Sequence, residues 1–171
     1  MSSLEERIRI LEDRAAIQDL VAGYFRAADD DDYAALAQCF TRSARFEASG
    51  FEDADGRDGI VAVLKVARSG MGQTVHTPHY VHIRFDGPDA ADGLVCAHLE
   101  LGLGAATYFG AVRYVDRYER EDGEWRLAVR AMRVVHVAPW SAVEASLTST
   151  LNVRWPGAEP LASDFPRRRD G

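Results

Sequence analysis

The chain has 171 residues, a formal net charge of −7, and a composition that is 47% hydrophobic and 27% charged. That length supports one domain with a real core. The negative balance argues against binding nucleic acid, which needs a basic face. No apolar run approaches the roughly 18 residues needed to span a bilayer. The opening stretch "MSSLEERIRI" is charged and lacks an apolar segment, so no secretory signal is expected. Cys39 and Cys96 are too few and too far apart for a disulfide framework or a metal knuckle. They read as small core residues in a reduced, cytoplasmic protein.

Ile8, Leu11, Ile17, Leu20, Val21, Tyr24 and Ala28 recur at three- and four-residue spacing and predict one long amphipathic helix. Four consecutive aspartates, Asp29 to Asp32, then interrupt the apolar pattern. Like charges repel and Asp is a poor helix-interior residue, so a break is expected there. A short second helix follows, with Tyr33, Leu36, Cys39 and Phe40 on one side and Asp31 or Asp32 as its N-cap. "ARFEAS" alternates as a short strand and "FEDADGRDG" is rich in turn residues. Asp58 is placed to cap a third helix over "GIVAVLKVAR".

After "SGMGQ" the period changes to two. "HYVHIRF" reads as a strand ending at "DGPDAADG", and "LVCAHLELGL" as the next. "TYFGAVRYVDRYERE" is a long strand closed by Asp122-Gly123, and "EWRLAVRAMRVVHVAPW" returns as its partner. Helices followed by an antiparallel meander predict an α+β fold, with a pocket where a long, curved sheet wraps over a helix. Residues 1–140 form the expected domain. Residues 141–171 form a C-terminal extension, partly extended or disordered, in which Arg167, Arg168 and Arg169 make the only basic cluster.

No phosphate-binding, dinucleotide-binding, nucleophile-elbow or zinc-protease motif is present. His76, His79 and His82 are close in sequence, but their spacing suits one face of a helix and the segment reads as a strand. Alternation puts His76 and His82 on one side and His79 on the other. Acid–base chemistry by Asp, His and Tyr remains. A carboxylate beside an imidazole fixes its tautomer and stabilises its protonated form. A Tyr hydroxyl or an Arg can steady an oxygen on which charge develops. The candidates are Asp29 to Asp32, the three histidines, Tyr24, Tyr80, Tyr108, Tyr114 and Arg130. Asp116 shares a strand face with Tyr114 and could pair with Arg113, Arg117 or another cation. Trp125, after Asp-Gly, reads as a core anchor. Helical periodicity points inward nearer Ala28, Asp31 and Asp32 than Asp29.

The segments "LEDRAAIQDLVAGYFRAADDDDYAALAQCF", "GRDGI", the His-bearing strand ending in "DG", and "YVDRYEREDGEWRL" together resemble the SnoaL-like branch of the nuclear transport factor 2-like cone fold, over about residues 4–138. "RAAIQDL" and "YERxxGxW" resemble especially the group with hexachlorocyclohexane dehydrochlorinase, scytalone dehydratase and bile acid 7α-dehydratase. The resemblance implies a cone of about three helices on a curved sheet, and a lyase that needs no metal or organic cofactor. It implies that Asp29, at the end of the first helix, orients His76 as a base, with His79 the alternative if the strand shifts. It also implies substrate contacts by Tyr24, Tyr114, Arg130 and His79. Asp30 is expected at the surface and Asp32 at a cap. The chain departs from the pattern in its three further aspartates, in the crowding of His79 and His82, and at Ala28, where scytalone dehydratase has a Tyr. Isomerisation or polyketide cyclisation would use the same proton abstraction. A small subunit of an aromatic-ring dioxygenase and a ligand-binding module share the fold. The expected partners are a small hydrophobic or polycyclic substrate and further copies of the chain, as a trimer in preference to a dimer.

Overall fold

The computed structural model describes residues 3–165; the Arg167–Arg169 cluster lies outside them. Helix α1 spans Leu4–Asp29. Ser3 caps it, its hydroxyl accepting from the Glu6 N–H at 3.1 Å, and Glu5 and Glu6 sit at the positive end of its dipole. The buried residues of α1 begin at Asp13 and include Ile17, Val21, Tyr24, Phe25 and Ala28. Ile8 and Leu11, which periodicity assigned to the inward face, are 45% and 66% exposed, because the first turns of α1 precede its packed portion.

The tetra-aspartate ends α1 through backbone geometry. Asp31 adopts a left-handed φ of 54°, a conformation that Asp tolerates better than most residues. Asp32 then caps α2 (Tyr33–Gln38), its carboxylate accepting from the Ala35 N–H at 2.9 Å. After strand β1 (Phe40–Ala48) comes the two-residue strand β2 (Ala54–Asp55), inside the stretch expected to be loop. Helix α3 covers Arg57–Arg68. Its N-cap is Gly56, at φ 74°, and no side chain caps it; Asp58 lies in the first turn, not at the cap.

Four long strands complete the sheet: β3 (Met71–Phe85), β4 (Ala90–Leu103), β5 (Ala106–Glu121) and β6 (Glu124–Pro139). The sheet order is β2-β1-β6-β5-β4-β3, antiparallel except where β1 runs parallel to β6. Strand β3 begins earlier than the alternation predicted, taking in the glycine-containing "MGQ". Register shifts interrupt each long pairing except β4–β5, and such irregularities bend a sheet and increase its twist. The result is α+β: helices packed on a curved, mostly antiparallel sheet. Gly93 allows the close packing, since a Cβ there would overlap the Tyr118 ring.

One ionic cluster ties α1 to the β5–β6 turn, and a second joins β5 to β6 inside the core. Asp13 on α1 accepts from Arg120 Nη2 at 2.6 Å and from Trp125 Nε1 at 2.9 Å. Burial raises the Asp13 carboxyl, but the Trp125 and Arg120 contacts outweigh it and hold the group below its ordinary value. Arg120 and Trp125, on either side of the β5–β6 turn, reach the same helical carboxylate. Of the cations open to Asp116, neither Arg113 nor Arg117 but a third, Arg130, is its partner, with Tyr118, in the core. After β6 a 3-10 turn (Trp140–Ala145) leads into an extended segment. Val153 bridges Val137 and Leu161 there, and Asp164 accepts from the Val134 N–H at 2.6 Å.

Candidate active site

The end of α1 and the first half of β3 meet at the sheet's inner face. The Asp29 carboxylate accepts the His76 backbone N–H at 2.9 Å through Oδ2, and its Oδ1 lies 2.6 Å from His76 Nδ1. Thr74, two residues earlier on the same face of β3, donates its hydroxyl to Asp29 Oδ1 at 2.7 Å. Partial burial raises the Asp29 carboxyl, but the His76 ring, the His76 N–H and Thr74 together hold it below its ordinary value. Asp29 is therefore ionised at neutral pH. Phe25, one turn before Asp29, stacks on the His76 ring, with centroids 5.3 Å apart and planes at 20°. The imidazole is held in orientation by both its edge and its face.

His76 lines a cavity enclosing about 650 Å³, part of it open to solvent. Tyr24 and Ala28 of α1, Phe46 and Ala48 of β1, and Leu99 and Leu101 of β4 form much of its apolar wall. Its polar groups are few: His76, Arg68 from the end of α3, the Tyr24 and Tyr114 hydroxyls, and the Trp155 indole from the C-terminal segment. Burial pushes the hydroxyls of Tyr24 and Tyr114 well above their ordinary value, against the opposing effect of Arg130. Both are neutral hydrogen-bond donors across the physiological range. An ionised carboxylate, an oriented imidazole and neutral donors around an apolar space can remove a proton from carbon and stabilise the resulting oxygen charge.

The sequence-derived candidates divide clearly. Asp29, His76, Tyr24 and Tyr114 come together at one end of the cavity. Arg130 lies behind them, fully buried, its guanidinium carbon 4.1 Å from the Tyr24 ring centroid and 4.5 Å from that of Tyr114. It does not line the cavity. His79 is corrected as a substrate contact. It stands on the outer face of the sheet, its ring 4.3 Å from that of His98. The shift in register between Pro78 and Tyr80 absorbs one residue at His79. The alternation therefore reverses: Thr74 and His76 face inward, but so do Val81 and Ile83. His82 thus points outward, opposite to His76, not beside it as simple alternation required. Cys96, also on the outer side, is only half-buried; Cys39 is a core residue as expected.

Three participants were not read from the sequence. Thr74 lies in a segment where the strand had not been recognised. Arg68 lies in the last turn of α3, where a basic residue complements the helix dipole and signals nothing further. Trp155 lies in an extension without periodicity, although an isolated Trp there was a signal of burial. Asp31, assigned to solvent or a cap, bonds Arg68 Nε and accepts from the Tyr33 hydroxyl at 3.1 Å.

These features define a cone-shaped α+β protein with an Asp–His pair in the wall of an internal pocket. Residues 9–131 match the model of the SnoaL-like domain, and the chain belongs to that family, within the nuclear transport factor 2-like superfamily. No curated protein matches the sequence. Among solved structures, it is similar to hexachlorocyclohexane dehydrochlorinase LinA-type3 from Novosphingobium barchaimii. The identity is 23%, with 80% of this chain and 96% of that one covered and a TM-score of 0.75. It is also similar to a scytalone dehydratase-like protein from Novosphingobium aromaticivorans, at 18% identity, 78% and 91% coverage and a TM-score of 0.73. An aromatic-ring-hydroxylase-like protein from that bacterium shares 25% identity, with 75% and 94% coverage and a TM-score of 0.66.

Proposed function

We propose that the protein is a cofactor-independent lyase that eliminates water or another leaving group from a small, largely apolar molecule. The observation that carries this reading is the 2.6 Å contact between Asp29 Oδ1 and His76 Nδ1 at the wall of the apolar cavity. With Nδ1–H directed at the carboxylate, Nε2 is the ring's free lone pair. It takes a proton from a C–H made acidic by a neighbouring carbonyl. The C–H electron pair becomes the new double bond and the leaving group departs with its own pair. If that group is hydroxide, the imidazolium returns the proton and water leaves. Tyr24 and Tyr114 donate to the oxygen on which charge collects. The structural likeness to a dehydrochlorinase and a dehydratase-like protein favours elimination over isomerisation or cyclisation, which would begin with the same abstraction.

The test is turnover of a panel of β-hydroxy ketones and β-chloro ketones. A positioned general base contributes about 10²–10⁴-fold, so His76→Ala and Asp29→Asn should lower kcat by roughly that range with the fold intact. An unchanged rate removes His76 from the mechanism. The aromatic-ring-hydroxylase-like neighbour supports a second reading, a small subunit of a ring-oxidising complex. Co-purification with a large iron–sulfur subunit would favour it. A tightly held ligand that is never turned over would favour a binding module.

The extension from residue 141 is read as part of the site, closing the pocket mouth through Trp155. Val75, Tyr80 and Val115 on the outer face, together with Trp140 at the end of β6, expose apolar surface of the kind that self-association covers. A homo-oligomer, with a trimer favoured over a dimer, is the corresponding reading, and light scattering after size exclusion measures it. The two free thiols fit the reducing cytoplasm. No helix among the described residues is long and apolar enough to cross a membrane.

A further inference from the structure

Arg68 and Thr74 join the Asp29–His76 pair in one chain of hydrogen bonds. Arg68 Nη1 lies 3.0 Å from Thr74 Oγ1, which lies 2.7 Å from Asp29 Oδ1. Arg68 and Thr74 are 9% and 6% exposed, so water competes little with either contact. The direction of every link is fixed by chemistry. A guanidinium has only donors, so Thr74 accepts from Arg68. A hydroxyl has one hydrogen, so Thr74 must give it to Asp29. Oδ1 then accepts from Thr74 and from the His76 ring, while Oδ2 accepts the His76 backbone N–H. Asp29, ionised, has no proton of its own to place in the 2.6 Å contact with the ring. The imidazole must therefore keep its hydrogen on Nδ1. Asp31, turned back by its left-handed backbone, holds Arg68 through Nε.

We propose that Arg68 and Thr74 are positioning residues for His76, and that together they fix its tautomer and limit how strongly Asp29 stabilises the imidazolium. This rests on the assignment of His76 as the base. Donors on a carboxylate disperse its charge, and a cation nearby opposes a second cation on the ring. The other groups around His76 are Phe25 and Tyr24 from α1, Tyr114 from β5 and apolar Leu99 from β4, with the mutually paired Arg130 and Asp116 behind the two tyrosines. Arg68, partly offset by Asp31, is thus the cation joined to the pair, and Thr74 is the link that transmits its position.

The test follows the protonation of the His76 ring nitrogens by ¹⁵N NMR across a pH series, which needs no substrate. Thr74→Val removes the link at nearly constant volume, and Arg68→Met removes the cation. Each should raise the His76 titration midpoint, since a lost donor or neighbouring cation leaves more uncompensated negative charge beside the ring. Thr74→Ser and Arg68→Lys should return it toward the parent value. Thermal melts identify any variant that fails to fold, and Thr74→Val carries the test if Arg68→Met does not. A midpoint unmoved in folded Thr74→Val overturns the proposal. Where a substrate is turned over, the acid limb of kcat/KM should move to higher pH in Thr74→Val and Arg68→Met, with KM little changed. An Arg68→Met effect confined to KM would make Arg68 a substrate contact and also overturn it. A shifted midpoint in a protein that turns over no substrate would uphold the relay and sink the lyase reading alone.

Discussion

Arg130 and Asp116 form a bidentate ion pair, at 3.0 and 2.7 Å, with neither side chain exposed to solvent. The pair sits directly behind the Tyr24 and Tyr114 rings, and Tyr118 completes the Asp116 acceptor set at 2.7 Å. Breaking a buried pair by removing one partner leaves an uncompensated charge and costs about 3–5 kcal/mol. Arg130→Met should therefore lower stability by roughly that amount, measured by urea unfolding. A loss of activity with full stability would instead mean that Arg130 acts on substrate directly.

Asp13 makes a comparable prediction in the N-terminal half of α1. Asp13→Ala would strand the Trp125 indole N–H and free Arg120, at about 1–3 kcal/mol for an unsatisfied buried donor. For a chain of this size that corresponds to a fall in Tm of roughly 2–12 °C. Catalytic parameters measured well below the melt should stay near the parent values, since Asp13 lies far along the helix from Asp29.

The depressed carboxyl of Asp29 gives stability a pH dependence with a definite sign. Its ordinary value is 3.8 and its folded value is lower, so the folded state binds fewer protons. The stabilisation is present above about pH 4 and is lost as pH falls below that through the folded value. Asp31 shifts in the same direction, chiefly through its hydrogen bond from Arg68. Asp29→Asn should flatten the loss of Tm between pH 4 and 2. An unchanged slope would show that Asp29 does not contribute to the acid transition.

Trp155 packs edge-on against Phe51, with ring centroids 5.6 Å apart, and its indole N–H is buried without a partner among the described residues. Ligand binding should change the fluorescence attributable to Trp155, as a difference between parent and Trp155→Phe. If the indole donates to a substrate oxygen, Trp155→Phe should weaken binding by about 1 kcal/mol, roughly fivefold, and leave kcat unchanged. An unaltered KM would confine Trp155 to packing.

The sequence by itself determined the α+β class, the order of helices and strands, the β5–β6 turn at Asp122-Gly123 and the core role of Trp125. These follow from local periodicity and turn chemistry, which a chain expresses residue by residue. It also singled out Asp29 and His76, but through resemblance; helical periodicity alone favoured Asp31 and Asp32. Only the tertiary structure decided what each aspartate does, because one left-handed residue at Asp31 redirects the chain after α1. Only it decided which histidines face inward, because one register shift at His79 reverses the alternation that the sequence implies. Thr74 and Arg68 were silent, and Trp155 signalled burial without a role, for the same reason: their roles are contacts between segments distant in the chain, and such contacts leave no periodic trace.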